Sequence, residues 1–143
     1  MTTIPVHKKR IQEHLEELQE AINKGIHLRP ASIGFHTEAC AMDMLELYLH
    51  KKKLIDTGKI VKHDWFKRPK DNQKIDPLIE RKMPVSFEGR EEIYGMFYFL
   101  EENRNILMYG NPSIRQIEAV LETFQKLRKI LEKKLEEEGE TLD

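Results

Sequence analysis

The chain has 143 residues, of which 39% are hydrophobic and 34% charged, with a formal net charge of -1. That length suits one domain and that apolar share suffices for one core, which excludes a wholly disordered chain and argues against a second independent core. The near-neutral total does not demand a nucleic-acid or membrane partner, and a single cysteine excludes an internal disulfide framework.

Cys40 lies in the run Ala39-Cys40-Ala41. This reads as close helix packing around an inert thiol, because reactive thiols need an electropositive, partly open setting. The first residues lack the basic, apolar and small-residue order of a signal peptide, and no apolar run approaches the roughly 18 residues of a membrane span. A cytoplasmic protein with no membrane partner is therefore expected.

The first helix is expected over about Pro5 to Lys24, since Ile11, Leu15, Leu18 and Ile22 recur at helical spacing and Gly25 supplies a stop. A short connector leads to Pro30, which suits a first helical turn, and Phe35, Ala39, Met42, Leu45 and Leu49 mark a second long helix. Leu54 and Ile55 extend it, and Gly58 is its expected end. Residues 59–85 are the least regular stretch, punctuated by Pro69, Pro77 and Pro84, and predict a loop with one or two short helices.

Ser86 reads as the N-cap of a helix of about five turns, with Ile93, Met96, Phe97, Leu100, Arg104 and Leu107 on one stripe. Gly110-Asn111-Pro112 breaks it. Ser113 caps a last helix whose stripe, from Ile117 through Phe124 to Leu131, fades into an acidic tail over about 132–143. No segment alternates with the period of a strand, and no internal repeat is visible. The expected architecture is one domain over 1–143, an all-α antiparallel bundle of four to five helices. Its core should include Leu15, Leu18, Phe35, Met42, Phe97, Leu100, Val120 and Phe124.

Charge is unevenly spread. Between Lys51 and Lys74 nine Lys and Arg stand against three Asp, a local balance of +6. Six excess positive charges are costly to concentrate without an anionic partner, so Lys51, Lys52, Lys53, Lys59, Lys62, Lys67 and Arg68 are candidate nucleic-acid contacts. Trp65 and Phe66 in the same stretch offer a ring for base stacking, or alternatively cap the bundle.

Arg104 occupies a position where the stripe calls for Leu. A guanidinium there needs a partner, such as Glu101 one turn back, or an assigned task. The string Glu101-Glu102-Asn103-Arg104-Asn105-Ile106-Leu107-Met108-Tyr109-Gly110 resembles the signature of HEPN domains, in which an Arg and a polar follower precede a His near the end of a long helix. Arg104 matches the Arg, Asn105 the follower, and Tyr109 stands where the His would be. The second helix, from His36 to Leu47, likewise resembles the family's second helix, with small residues and acidic residues followed by a Leu-rich run.

The resemblance implies a helical, dimerising domain directed at RNA. It also implies metal-independent cleavage in which a His handles the proton of the attacking 2′-hydroxyl and the Arg stabilises phosphate charge. Tyr is a poor base near neutrality, so a weakened ribonuclease, or an RNA-binding member that does not cut, is expected. Arg104, Asn105 and Tyr109 are its candidate site residues, with His36 as the histidine best placed to substitute. The alternative is a non-catalytic interaction module of the toxin-antitoxin kind, a homodimer partnering a small nucleotidyltransferase.

His7, His14, His27, His50 and His63 are expected on polar faces or in loops. No cofactor and no metal are expected. No His has Glu three residues before it, and Glu46 with His50, four apart, offers one ligand pair without a second His.

Overall fold

The computed structural model describes residues 3–56, 59–70, 72 and 74–142. Among the described residues five α-helices and two short 3-10 turns follow one another: α1 (Ile4–Lys24), a turn at Ile26–Leu28, α2 (Pro30–Lys51), a turn at His63–Phe66, α3 (Leu78–Lys82), α4 (Arg90–Tyr109) and α5 (Ile114–Glu137). They pack as an all-α bundle, and no strand occurs among the described residues. None of these helices is long and apolar enough to cross a membrane.

The central element is α2, which packs against α1, α4 and α5. It is buried on nearly every side, as expected for a helix with apolar residues all round. Gly34 permits the closest approach, since a Cβ there would stand 2.8 Å from the Leu107 Cβ and 3.5 Å from the Arg104 carbonyl oxygen. The first turns of α2 are thereby pressed against the last turns of α4.

Helix α2 ends earlier than its apolar pattern suggests. Lys53 takes a left-handed conformation at φ 59°, its N–H donates to the His50 carbonyl at 3.0 Å, and the Leu54 N–H donates to the Leu49 carbonyl at 2.9 Å. This Schellman closure uses Lys where Gly is usual. Leu54 and Ile55 fold back over the core instead of extending the helix. Gly58, the expected stop, lies outside the described residues.

The start of α4 also differs from expectation. Its N-cap is Gly89 at φ 79°, not Ser86. Phe87 is drawn against the rings of Tyr48 and Tyr94, at 5.7 and 6.0 Å, so residue 86 belongs to the incoming strap. Arg90 then pins the first turn, donating to Glu80 at 2.5 Å and to the Val85 carbonyl at 2.8 Å. Helix α5 starts as its sequence predicts, with a reciprocal capping box between Ser113 and Gln116.

Leu18, Met42, Phe97, Leu100, Val120 and Phe124 are buried as expected. Leu15 is half-buried against the core, while Phe35 is 41% exposed and does not belong to it. The Phe35, Ala39 and Met42 side of α2 is the wall of a cleft that no helix covers.

Candidate functional site

The cleft has a volume of about 510 Å³, and its walls include Arg10, Glu38, Glu46, Lys62, His63 and Arg104. Three elements supply the side chains at its inner end. Glu38 comes from α2, Glu101 and Arg104 from α4 one turn apart, and His63 from the 3-10 turn. That turn is anchored by Phe66, fully buried and stacked on Phe97 at 4.7 Å and 19°.

The connections run in a chain. His63 Nδ1 donates to Glu101 Oε2 at 2.9 Å and lies 3.6 Å from Glu38 Oε1. Arg104 Nε lies 3.2 Å from the same Glu38 oxygen. Glu38 and Glu101 are both nearly inaccessible and are hydrogen-bonded to each other. Burial above all, then the hydrogen bond and the nearby charge of Glu101, pushes the Glu38 carboxyl up to about 9, against the opposing pull of Arg104.

Glu38 therefore keeps its proton at neutral pH and donates it towards Glu101. Arg104 then lies against a neutral acid, and the single negative charge of the Glu38–Glu101 pair is carried by Glu101. With Nδ1 committed to Glu101, Nε2 is the basic nitrogen of His63, whose side chain is 42% exposed.

This arrangement differs from the expected one. Arg104 pairs with Glu38 on the neighbouring helix, not with Glu101 on its own. Asn105 is exposed, and Tyr109, at the end of α4, is 75% exposed. His36 faces α1, with its Nδ1 2.9 Å from that of His14 and its ring against Phe35 at 5.0 Å. The histidine brought to the Arg104 cluster is His63, which was expected in a plain loop.

A second polar group lies deeper along the α1 and α2 contact. His7, expected on a polar face, is wholly buried, and its Nδ1 donates to Asp43 Oδ1 at 3.0 Å. Its Nε2 lies 3.7 Å from Glu46 Oε2. Glu46 accepts from the Val61 N–H at 2.6 Å through its other oxygen, and the His7 and His50 rings stand 5.5 Å apart. The signal for His7 was present in the sequence, four residues before Ile11 and eleven before Leu18 on one helical face.

The basic segment is partly neutralised within the chain. Lys51 pairs with Glu140 at 3.1 Å, Lys52 with Glu138 at 3.2 Å, and Arg68 with Glu102 at 2.6 Å. Lys59 donates to the Lys82 carbonyl at 3.1 Å. The acidic tail is thus folded against the end of α2. Lys53, Lys62 and Lys67 form no ion pair among the described residues, and Lys62 stands on the cleft wall. Trp65 is half-buried against the core and Phe66 is fully buried, so Phe66 has no face free for a base.

No family model, curated protein or solved structure matches this chain.

Proposed function

We propose that the chain is an RNA-directed protein of the HEPN kind, a slow metal-independent ribonuclease in which His63 takes the role that Tyr109 cannot fill. The observation that carries this reading is the Glu101–His63 hydrogen bond beside Arg104. A carboxylate fixes the tautomer of an accessible imidazole, and a guanidinium held against a neutral acid stands next to it.

In the proposed reaction, His63 Nε2 accepts the proton of a ribose 2′-hydroxyl and that oxygen attacks the adjacent phosphorus. The bond from phosphorus to the 5′-oxygen breaks, and the departing oxygen takes a proton back from His63. The products are a 2′,3′-cyclic phosphate and a free 5′-hydroxyl, so protons and bonds balance without a co-reactant. Arg104 holds the phosphoryl oxygens, and Arg10 and Lys62 extend the positive rim along which the strand approaches.

The test is cleavage of single-stranded RNA in the presence of chelator, on protein shown to remain helical. Slow release of cyclic-phosphate ends is expected, with binding that weakens steeply as salt rises. His63→Gln should lower the cleavage rate by about 100-fold or more while leaving binding largely intact. Arg104→Ala should reduce both. The reading fails if the natural protein neither binds RNA in a salt-dependent way nor cuts it.

A second reading, a homodimer or a docking module for a nucleotidyltransferase, is favoured by exposed apolar side chains near the Arg104 end of the bundle. Phe35, Tyr109 and Ile114 are 41%, 75% and 45% exposed. Light scattering at micromolar concentration separates the two readings when RNA binding is absent.

A further inference from the structure

The polar group between α1 and α2 presents a different chemical problem from the cleft. His7 is 0% exposed, and its Nε2 has no hydrogen-bond partner. Asp43 accepts from Nδ1, which leaves the Nε2 lone pair aimed at a carboxylate oxygen of Glu46 3.7 Å away. Two acceptors facing each other in a buried setting repel unless something positive lies between them. Both ring nitrogens of His50 are also buried, and beyond a weak contact of the ring to the Ile55 backbone neither has a partner. Ligand atoms of His7, Glu46 and His50 all lie within 4.8 Å of one another.

From this geometry we infer that His7, Glu46 and His50 bind one divalent cation of the borderline class, zinc first among them, which clamps α1 to α2. Two imidazoles and one carboxylate are a donor set suited to zinc, with water completing four-coordination. Donors about 2.0 Å from a tetrahedral ion stand about 3.3 Å apart, so the group needs only a modest contraction to close on the metal.

The surroundings fit. Asp43 is the outer partner that fixes the His7 tautomer with Nε2 towards the ion. The Val61 N–H occupies Glu46 Oε1 and leaves Oε2 for the ion. Asp43 and Glu46 reach the wall of the cleft, which gives the ion a path from solvent. The neighbouring set of Glu38, His63 and Glu101 could also enclose an ion. There, however, the imidazole, both acids and Arg104 already satisfy one another. Only the buried group has unpartnered nitrogens.

The inference does not rest on the RNA reading, because its readouts are metal binding and stability. Tag-free protein is stripped with chelator, returned to plain buffer and titrated calorimetrically with zinc, and cobalt is added to a parallel sample for its visible spectrum. One ion per chain is expected, with the intense absorption of four-coordinate cobalt. The melting temperature should rise by about 5 to 10 °C at free zinc near 100 times Kd. His50→Gln, at the least buried of the three ligands, should abolish the cobalt spectrum and the stabilisation while the apo chain stays helical. Asp43→Asn should weaken zinc by about 10- to 100-fold, and His63→Gln should leave zinc binding unchanged. Should His7→Ala fail to fold, His50→Gln and Glu46→Gln still decide the matter. Absence of one-to-one binding overturns the site and leaves a water or a proton between His7 and Glu46. Loss of binding in His63→Gln overturns it in favour of the cleft group.

Discussion

The two polar groups of this bundle are built from the same residue types and differ in how completely they satisfy themselves. In the cleft group, Glu38, Glu101, His63 and Arg104 each have a partner, and one proton held by Glu38 stands where a second negative charge would otherwise be. In the α1 and α2 group, His7 and His50 have buried ring nitrogens without a close hydrogen-bond partner. A self-satisfied group with an accessible imidazole is equipped to move protons. A buried group with spare lone pairs is equipped to hold a cation. Composition alone does not separate these cases, but hydrogen-bond accounting does.

The connector is where the two groups meet, since Val61 steadies Glu46 and His63 bonds to Glu101. Phe66 is its anchor, so Phe66→Ala should cost about 3 to 5 kcal/mol of stability in urea denaturation. It should also abolish RNA cleavage more completely than zinc binding, because all three zinc ligands sit on α1 and α2 and none on the connector. Equal loss of both activities would show that the groups are one cooperative unit.

The protonation of Glu38 can be read from pH. Its carboxyl is raised to about 9 in the fold from an ordinary 4.5, so between those values the native chain holds a proton that the unfolded chain has released. This contribution to stability is complete below about pH 4.5 and is lost as pH rises through about 9. Glu38→Gln, whose amide donates to Glu101 and whose carbonyl accepts from Arg104, should therefore flatten the alkaline decline of the urea midpoint. If Glu38 were instead ionised against Arg104, the same variant would destabilise at neutral pH and leave the decline in place.

Much of the fold was legible in the sequence because periodicity, Gly25, Pro30 and the Ser113 capping box all act locally. The early end of α2 was not, because a left-handed Lys53 carries no compositional signal where Gly is the usual mark. Ser86 misled because the burial of Phe87, a tertiary effect, outweighed a local cap. In the site, Arg104 stood out as a charge on an apolar stripe, whereas its partner Glu38 lies on a helix buried on nearly every side and could not be singled out by periodicity. Glu101, three residues before Arg104 and four after Phe97, was on the same face and did carry a signal. His63 was invisible because contacts distant in sequence, chiefly Phe66 stacking on Phe97 and Arg68 pairing with Glu102, bring its loop to α4.

Gly34 offers a way to disturb one group and spare the other. A Cβ there would meet Leu107 at 2.8 Å, so Gly34→Ala should push α4 from α2 and cost about 1 to 3 kcal/mol. The Glu38–Arg104 contact spans that seam, whereas His7, Glu46 and His50 lie at the contact of α1 with α2, further along α2 from Gly34. RNA binding should weaken and zinc affinity should hold, as measured on the folded fraction.

The smallest effect concerns the acid side, where the His14–His36 pair joins α1 to the first turns of α2. Their Nδ1 atoms are 2.9 Å apart, so one ring donates and the other accepts, and a proton added to the acceptor breaks the bond. Burial, then the neighbouring His36, holds His14 below its ordinary value, against the pull of Asp43 and Glu13. Burial likewise lowers His36, against Glu17 and Glu13. With both folded values below the unfolded 6.5, the unfolded chain takes up protons first, so stability is full above that pH and declines as pH falls below it. Exposure of these rings keeps the decline shallow. His36→Asn should remove its contribution, seen as a flatter melting temperature between about pH 5 and 7. An unchanged acid slope in that variant would place the titrating group elsewhere, with His50 next in line because burial and the adjacent His7 hold it below its ordinary value too. Zinc would then be the arbiter, since a metal-bound His50 cannot take up that proton while the unfolded chain still does, so the acid slope should steepen when the ion is added.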